Sequence, residues 1–218
     1  TSCGLARNSD LKGTWTYYTR AEGLPSDQAN GIAFGKDGTI YVGTQCDGIV
    51  VASPKDGYKA WRQVRGPEAL PTTASGSGLP TDLINDVLVA RDGTVYAATT
   101  AGLAWSEDEG ERWRYVRGAD WADKVRESEK GPPAGWTATG GAVLAEDYCT
   151  ALAEDSAGGI QVGHRATGDD VVMPGVSRIV TEGTAEYVNA IACLAGVAMM
   201  VGAYGYVVAV LEQKTGVY

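Results

Sequence analysis

Residues 79–99, LPTDLINDVLVARDGTVYAAT, repeat almost motif for motif what residues 24–44 spell as LPSDQANGIAFGKDGTIYVGT. A third version, LAEDYCTALAEDSAGGIQVG, fills 144–163, and a worn fourth, TAEYVNAIACLAGVAMMVG, aligns with 184–202. Self-similarity at such a spacing means one supersecondary unit copied along the chain, each copy burying its apolar face against the next. Within a copy, a turn at Gly23-Leu24-Pro25 or Gly78-Leu79-Pro80 precedes alternating apolar positions, Ile32 and Phe34 in the first copy and Val87 and Val89 in the second. Alternation of that period is a strand signal. Asp37-Gly38 and Asp92-Gly93 then supply the dipeptide that favours a tight hairpin turn, and Ile40-Tyr41-Val42 and Val95-Tyr96-Ala97 return.

Two further runs follow in each of the first two copies. Gly48-Ile49-Val50-Val51 and Gly102-Leu103-Ala104-Trp105 read as third strands, and 61–66 (WRQVRG) and 113–118 (WRYVRG) as fourth strands. Four short antiparallel strands per repeat make a propeller blade. The return strands are spaced by 55, 65 and 39 residues, measured from Tyr41 through Tyr96 and Gln161 to Met200. The long middle interval holds an insertion at 118–143, with a short charged helix expected between Asp120 and Lys130 and a loop at 131–135.

The expectation is therefore an all-β chain forming one propeller domain over 1–218. Its four blades would lie near 21–66, 76–118, 142–181 and 184–211, with 13–19 as the strand that completes the last blade and closes the ring.

The phrase Gly-Leu-Pro-Ser-Asp at 23–27, followed by Asn30 and by 37–44 (DGTIYVGT), resembles the propeller repeat of two-component regulator sensor regions. The run Ser106-Glu107-Asp108-Glu109-Gly110-Glu111-Arg112-Trp113 resembles an Asp-box, the S-x-D-x-G-x-x-W hairpin of sialidases, sortilin-like receptors and photosystem assembly factors. Ser53-Pro54-Lys55-Asp56-Gly57 before Trp61 is a degraded relative of it. These resemblances cover about three quarters of the chain and imply a propeller fold. The box itself reads as a folding device, in which Ser and Asp bind turn backbone and Trp packs between blades. In sialidases the chemistry lies on an arginine triad, a tyrosine with its glutamate and an acidic proton donor. Here the arginine-bearing motif is missing, and Arg62, Arg65, Arg114 and Arg117 cluster on outer strands, which argues against sialidase activity.

Thirty glycines and one phenylalanine suit a turn-rich β protein. A formal charge of −9 disfavours partners with phosphate backbones, so no nucleic acid is expected. Cys3, Cys46, Cys149 and Cys193 show neither CxxC spacing nor a nearby histidine pair, which excludes an ordinary zinc site. Four cysteines allow three disulfide pairings, and this repeat type suggests a secreted, periplasmic or cell-surface protein. Thr1-Ser2-Cys3 has the form of a lipobox tail, although processing would leave Cys3 first. The uncharged run 187–211 is long enough for a membrane anchor, but Asn189, its glycines and its match to the first blade favour strands. A blade of such low polarity calls for cover by a protein partner or by oligomerisation.

Aligned copies place Asn30, Asn85, Thr150 and Asn189 at one position of the innermost strand, and Asp27, Asp82, Asp147 and Glu186 three residues earlier. Around a propeller axis, equivalent positions form rings, so these eight residues are the candidate ligand-binding set at one mouth. The four acids would form a possible site for calcium, a hard cation that takes oxygen ligands. Against this stands their use as caps of their own turns. His164, the lone histidine, sits beside Arg165 and Asp169-Asp170 and is expected at the same mouth. The leading expectation is a non-catalytic exported propeller that binds a protein or glycan through loops at that mouth, without an organic cofactor. The alternative is a glycan-active hydrolase or lyase using carboxylates there, with Asp82, Asp147 and His164 as catalytic candidates.

Overall fold

In the computed structural model, the described residues are 1–8, 11–173, 179–182, 188–194, 198–203 and 208–212. A two-stranded antiparallel pair comes first, β1 (Leu5–Arg7) with β2 (Thr16–Tyr18). The first full sheet runs β3 (Ala29–Phe34), β4 (Ile40–Thr44), β5 (Ile49–Ala52) and β6 (Trp61–Val64) in sequence order. The second contains β7 (Ser75–Ser77), β8 (Ile84–Val89), β9 (Val95–Thr99), β10 (Gly102–Ser106) and β11 (Arg114–Val116). The helix α1 (Trp121–Glu127) precedes the third sheet, β12 (Cys149–Glu154), β13 (Ile160–His164), β14 (Asp169–Val172) and β15 (Ile179–Glu182). The last sheet holds β16 (Val188–Leu194), β17 (Ala198–Ala203) and β18 (Val208–Glu212). Every pairing within these sheets is antiparallel, and β3, β8, β12 and β16 pack side by side as successive inner strands.

The expected inner hairpins are present as β3–β4, β8–β9 and β12–β13. Asp37 accepts the backbone N–H of Thr39, Asp92 that of Thr94, and Asp155 those of Ala157 and Gly159, while Gly38 and Gly93 take left-handed φ of 87° and 98°. An aspartate holding its own turn in this way fixes the register of the return strand. The return strands β4, β9 and β13 are buried along their whole length, because a neighbouring sheet lies on each side. Tyr41, Ile49 and Val51 pack on Ile84, Val87, Val95 and Ala97 between the first and second sheets. Tyr96, Ala98 and Leu103 meet Leu152, Ile160 and Val162 between the second and third. Full burial of each large aliphatic side chain contributes roughly 1.5–3 kcal/mol. The protein is thus mostly β, with stacked antiparallel sheets of propeller-like form.

Three features depart from the expectation. The second sheet has five strands, because the segment joining it to the first adds β7 outside β11. That segment and the insertion build a satellite core, with Trp121 and Val125 of α1 against Ala74, and Trp121 edge-on to Trp136 at 5.7 Å. Ring closure by the amino-terminal strand is absent from the described pairings. The residues expected to close the last sheet instead form β2, which pairs with β1, and among the described residues no strand pairs with the outer edge of β18, where a closing strand would lie.

The uncharged 187–211 run contributes β16, β17 and part of β18, and no helix among the described residues is long and apolar enough to cross a membrane. Cys3, Cys46, Cys149 and Cys193 are all free thiols.

Candidate binding site

The ladder between inner and return strands slips by one residue at the same place in four sheets. The slips fall between Ala29 and Gly31, Ile84 and Asp86, Cys149 and Ala151, and Val188 and Ala190. The bulged residues are therefore Asn30, Asn85, Thr150 and Asn189, the four that sequence alignment had put at one position. A bulge turns its extra residue out of the ladder and re-aims the side chain. All four line a single cavity of about 390 Å³, together with Thr1, Ala29 and Tyr148.

Two of these amides also tie sheet to sheet. Asn30 donates from Nδ2 to the carbonyl of Ile84 at 2.8 Å, and Asn85 donates to the carbonyl of Cys149 at 2.6 Å. Thr150, one bond shorter, keeps its buried Oγ1 without a hydrogen-bond partner among the described residues. With both Nδ2 groups engaged, the Asn30 and Asn85 oxygens are left as acceptors at a cavity whose lining side chains are all uncharged. Such a wall suits hydroxyl and amide groups better than ions.

The acids do not join this cavity. Asp82 accepts Gly66 N–H at 2.7 Å and pairs with Arg65 at 2.6 Å, reaching back to the outer strand of the first sheet. Asp147 repeats the arrangement on the second sheet, accepting Gly118 N–H at 2.9 Å and the Arg117 guanidinium at 2.6 Å. Asp27 accepts the N–H of Arg20, just past β2. Each acid thus holds the preceding sheet, rather than capping its own turn or facing the axis. The physical reason is the Arg-Gly step at 65–66 and 117–118, which offers a backbone donor and a guanidinium within one residue. Glu186 lies outside the described residues. Among the described residues, no group of three or more acidic, cysteine or histidine side chains is placed to hold a metal ion.

His164 is fully buried rather than at a mouth, with Nε2 2.9 Å from Oδ2 of Asp170, which also accepts the N–H of Ala145. It replaces Thr44 and Thr99 of the earlier sheets, whose hydroxyls donate to Gly48 and Gly102 carbonyls. Asp169 and Asp170 likewise stand where those sheets carry Ile49-Val50 and Leu103-Ala104. The third sheet has exchanged an apolar edge for a buried polar cluster.

Sequence reasoning missed three participants. Arg117 is fully buried, bridging Asp147 and the carbonyl of Pro71; the recurrence of Arg-Gly was its signal. Asp86 reaches across to accept Leu152 N–H at 2.9 Å, and burial raises its carboxyl above the ordinary value. Nothing in the repeat marked it, since the first copy has Gly31 there. Tyr148, beside Asp147 in the chain, enters the cavity wall.

At the outer rim of the first two sheets, a larger groove of about 700 Å³ includes Arg65, Leu79, Glu111, Arg112 and Trp113. It borders the 106–113 turn. There Ser106 Oγ accepts Gly110 N–H, and Asp108 takes the backbone N–H and side chain of Arg112. Trp113 Nε1 donates to the Gly110 carbonyl. Those bonds, the Arg112 backbone first, hold the Asp108 carboxyl down at about 2.

No family model matches the chain, and no curated protein matches it. Solved structures do. The extracellular domain of the putative hybrid two component system BT3049 from B. thetaiotaomicron is 16% identical with a TM-score of 0.58, over 89% of this chain and 23% of that one. PorZ, a surface component of the type-IX secretion system of Porphyromonas gingivalis, is 14% identical with a TM-score of 0.58, over 88% of this chain and 27% of its own. YCF48 bound to D1 peptide is 13% identical with a TM-score of 0.53, over 93% and 54%. The chain spans about a quarter of the sensor domain and of PorZ, and at these identities the likeness establishes a shared propeller-like fold.

Proposed function

We propose that this protein is a non-catalytic, exported binding module that takes an uncharged polar partner, a peptide segment or a glycan, at the cavity ringed by the bulged residues. The observation that carries this reading is the convergence of Asn30, Asn85, Thr150 and Asn189 on one cavity through four equivalent bulges. Function on repeat folds gathers where variable side chains are held by a rigid frame. The Asn30 and Asn85 side chains are pinned by cross-sheet bonds, so little ordering entropy remains to be lost on binding. A structural neighbour, YCF48, was solved with a peptide, which favours the peptide form of the reading. Similarity to extracellular sensor domains and to PorZ supports an exported location, and the uncharged run at 187–211 supports a protein partner or oligomer there.

The hydrolase or lyase reading is weaker, because Asp82 and Asp147 are already saturated by arginine and backbone donors and His164 is buried. A calcium ion on Asp27, Asp82 and Asp147 would have to compete with the hydrogen bonds that each already accepts.

The test is a titration with a peptide library and with neutral oligosaccharides, followed by the side-chain amide resonances of Asn30, Asn85 and Asn189. Movement of these signals, lost in Asn85→Leu, supports the reading. Binding that moves only the Trp113 indole would transfer the site to the outer groove and refute it.

A further inference from the structure

The amino-terminal pair is the outer half of a repeat unit. Gly4, Gly48 and Gly102 occupy equivalent places at the starts of β1, β5 and β10, each at positive φ (77°, 73° and 106°). Each donates its N–H to the carbonyl of the acid in the next unit, Asp27, Asp82 or Asp147. At the far ends of β2, β6 and β11, the N–H groups of Arg20, Gly66 and Gly118 reach the carboxylates of those same acids. Thus β1 and β2 correspond to β5 and β6, and to β10 and β11.

What β5 and β10 have and β1 lacks is an inner neighbour. β5 pairs with β4 and β10 with β9, whereas β1 pairs only with β2 among the described residues. The sheet that follows shows the same omission on its face. Ile40, Val42 and Val50 are covered by Leu5 and Tyr18, so the outer half of that joint is closed. Ile32 and Phe34 on the inner strand remain 49% and 61% exposed. Their register partners explain what is missing: Ile32 lies opposite Val42 as Val87 lies opposite Ala97 and Leu152 opposite Val162. Val87 and Leu152 are only 4% and 6% exposed, each sealed by the inner hairpin of the sheet before it.

We infer that the joint ahead of the first sheet receives a two-stranded antiparallel hairpin of this same repeat type, supplied by a further repeat outside residues 1–218. One strand would pair along Leu5–Arg7, and its apolar face would cover Ile32 and Phe34. An open strand edge beside exposed apolar residues is the surface that strand addition satisfies, by ladder hydrogen bonds and burial together. The chain's own last sheet does not take this place, since its described strands pair only with one another and none pairs with β1. The fit to structures about four times longer agrees with a further repeat.

The test compares the 218-residue chain with a fusion that places a copy of residues 79–99 directly before Thr1, so that the last Thr of the copy stands as far before Gly4 as Thr44 stands before Gly48. Hydrogen exchange of the β1 amides, thermal unfolding and sedimentation are the readouts. The expected result is a monomer whose β1 amides exchange fast in the original chain and become protected in the fusion. The fusion should also raise Tm by about 4 °C or more. Ile32→Lys should abolish that gain while leaving the Tm of the original chain unchanged. Protection of β1 in the unfused monomer would mean that the chain closes on itself, and protection that appears only in a dimer would assign the edge to a second copy. Either result, or a fusion without added protection, overturns the inference.

Discussion

Arg117 and Asp147 form a fully buried ion pair at 2.6 Å, while their counterparts one repeat earlier, Arg65 and Asp82, meet at the same distance with the arginine half exposed. The motif is one and the same, but the insertion after 118 and the segment at 66–78 roof over the second instance. Breaking a buried pair strands an uncompensated charge, at about 3–5 kcal/mol, whereas exposed pairs contribute roughly 0–1 kcal/mol. Asp147→Asn should therefore lower the urea midpoint sharply, and Asp82→Asn should shift it little. Equal effects would show that the roof does not desolvate Arg117.

Thr150 has a buried side-chain hydroxyl with no hydrogen-bond partner among the described residues. By the register of the series, an amide there would reach the carbonyl of Val188, as Asn30 reaches Ile84 and Asn85 reaches Cys149. Thr150→Asn should stabilise the joint of the third and last sheets by about 0.5–1.5 kcal/mol. Hydrogen exchange in β16 is the direct readout, and faster exchange would count against the bond.

Gly102 combines φ of +106° with a built Cβ only 2.1 Å from the carbonyl oxygen of Val116. Gly57 shares positive φ (+73°) but faces open space. Gly102→Ala carries both backbone strain, on the order of 1–3 kcal/mol, and a backbone clash; Gly57→Ala carries strain alone. Denaturant titration should rank Gly102→Ala as clearly the more damaging.

Asp108 is held near 2, below its ordinary 3.8, by the backbone and side chain of Arg112. A depressed carboxyl contributes stability that is fully present above the ordinary value and is lost as pH falls towards 2. The acid limb of the stability curve should flatten between about pH 4 and pH 2 in Asp108→Asn. An unchanged limb would mean that the 106–113 turn opens before the protein unfolds.

The repeat, the hairpin turns and the equivalence of Asn30, Asn85, Thr150 and Asn189 were legible from the chain alone, because they rest on local rules. Alternation of two, an Asp-Gly turn and equal spacing of copies are encoded within about twenty residues. The insertion and its short helix were visible for the same reason.

The acids were not, and they show where local reading stops. Asp27, Asp82 and Asp147 stand three residues before the bulge in every copy, which suggested a common direction. Their actual partners lie on the preceding sheet, at Arg20, Gly66 and Gly118, a relation that only stacking of sheets creates. His164 likewise reads as an exposed base in sequence, and becomes a buried partner of Asp170 once β13 and β14 pair. The sequence by itself determined the unit and its repetition, since turn chemistry and alternation act between near neighbours. Which acid serves structure, where the half-unit β1 and β2 leaves an edge open and which amides share a cavity were decided by tertiary packing, because those contacts join residues from different copies.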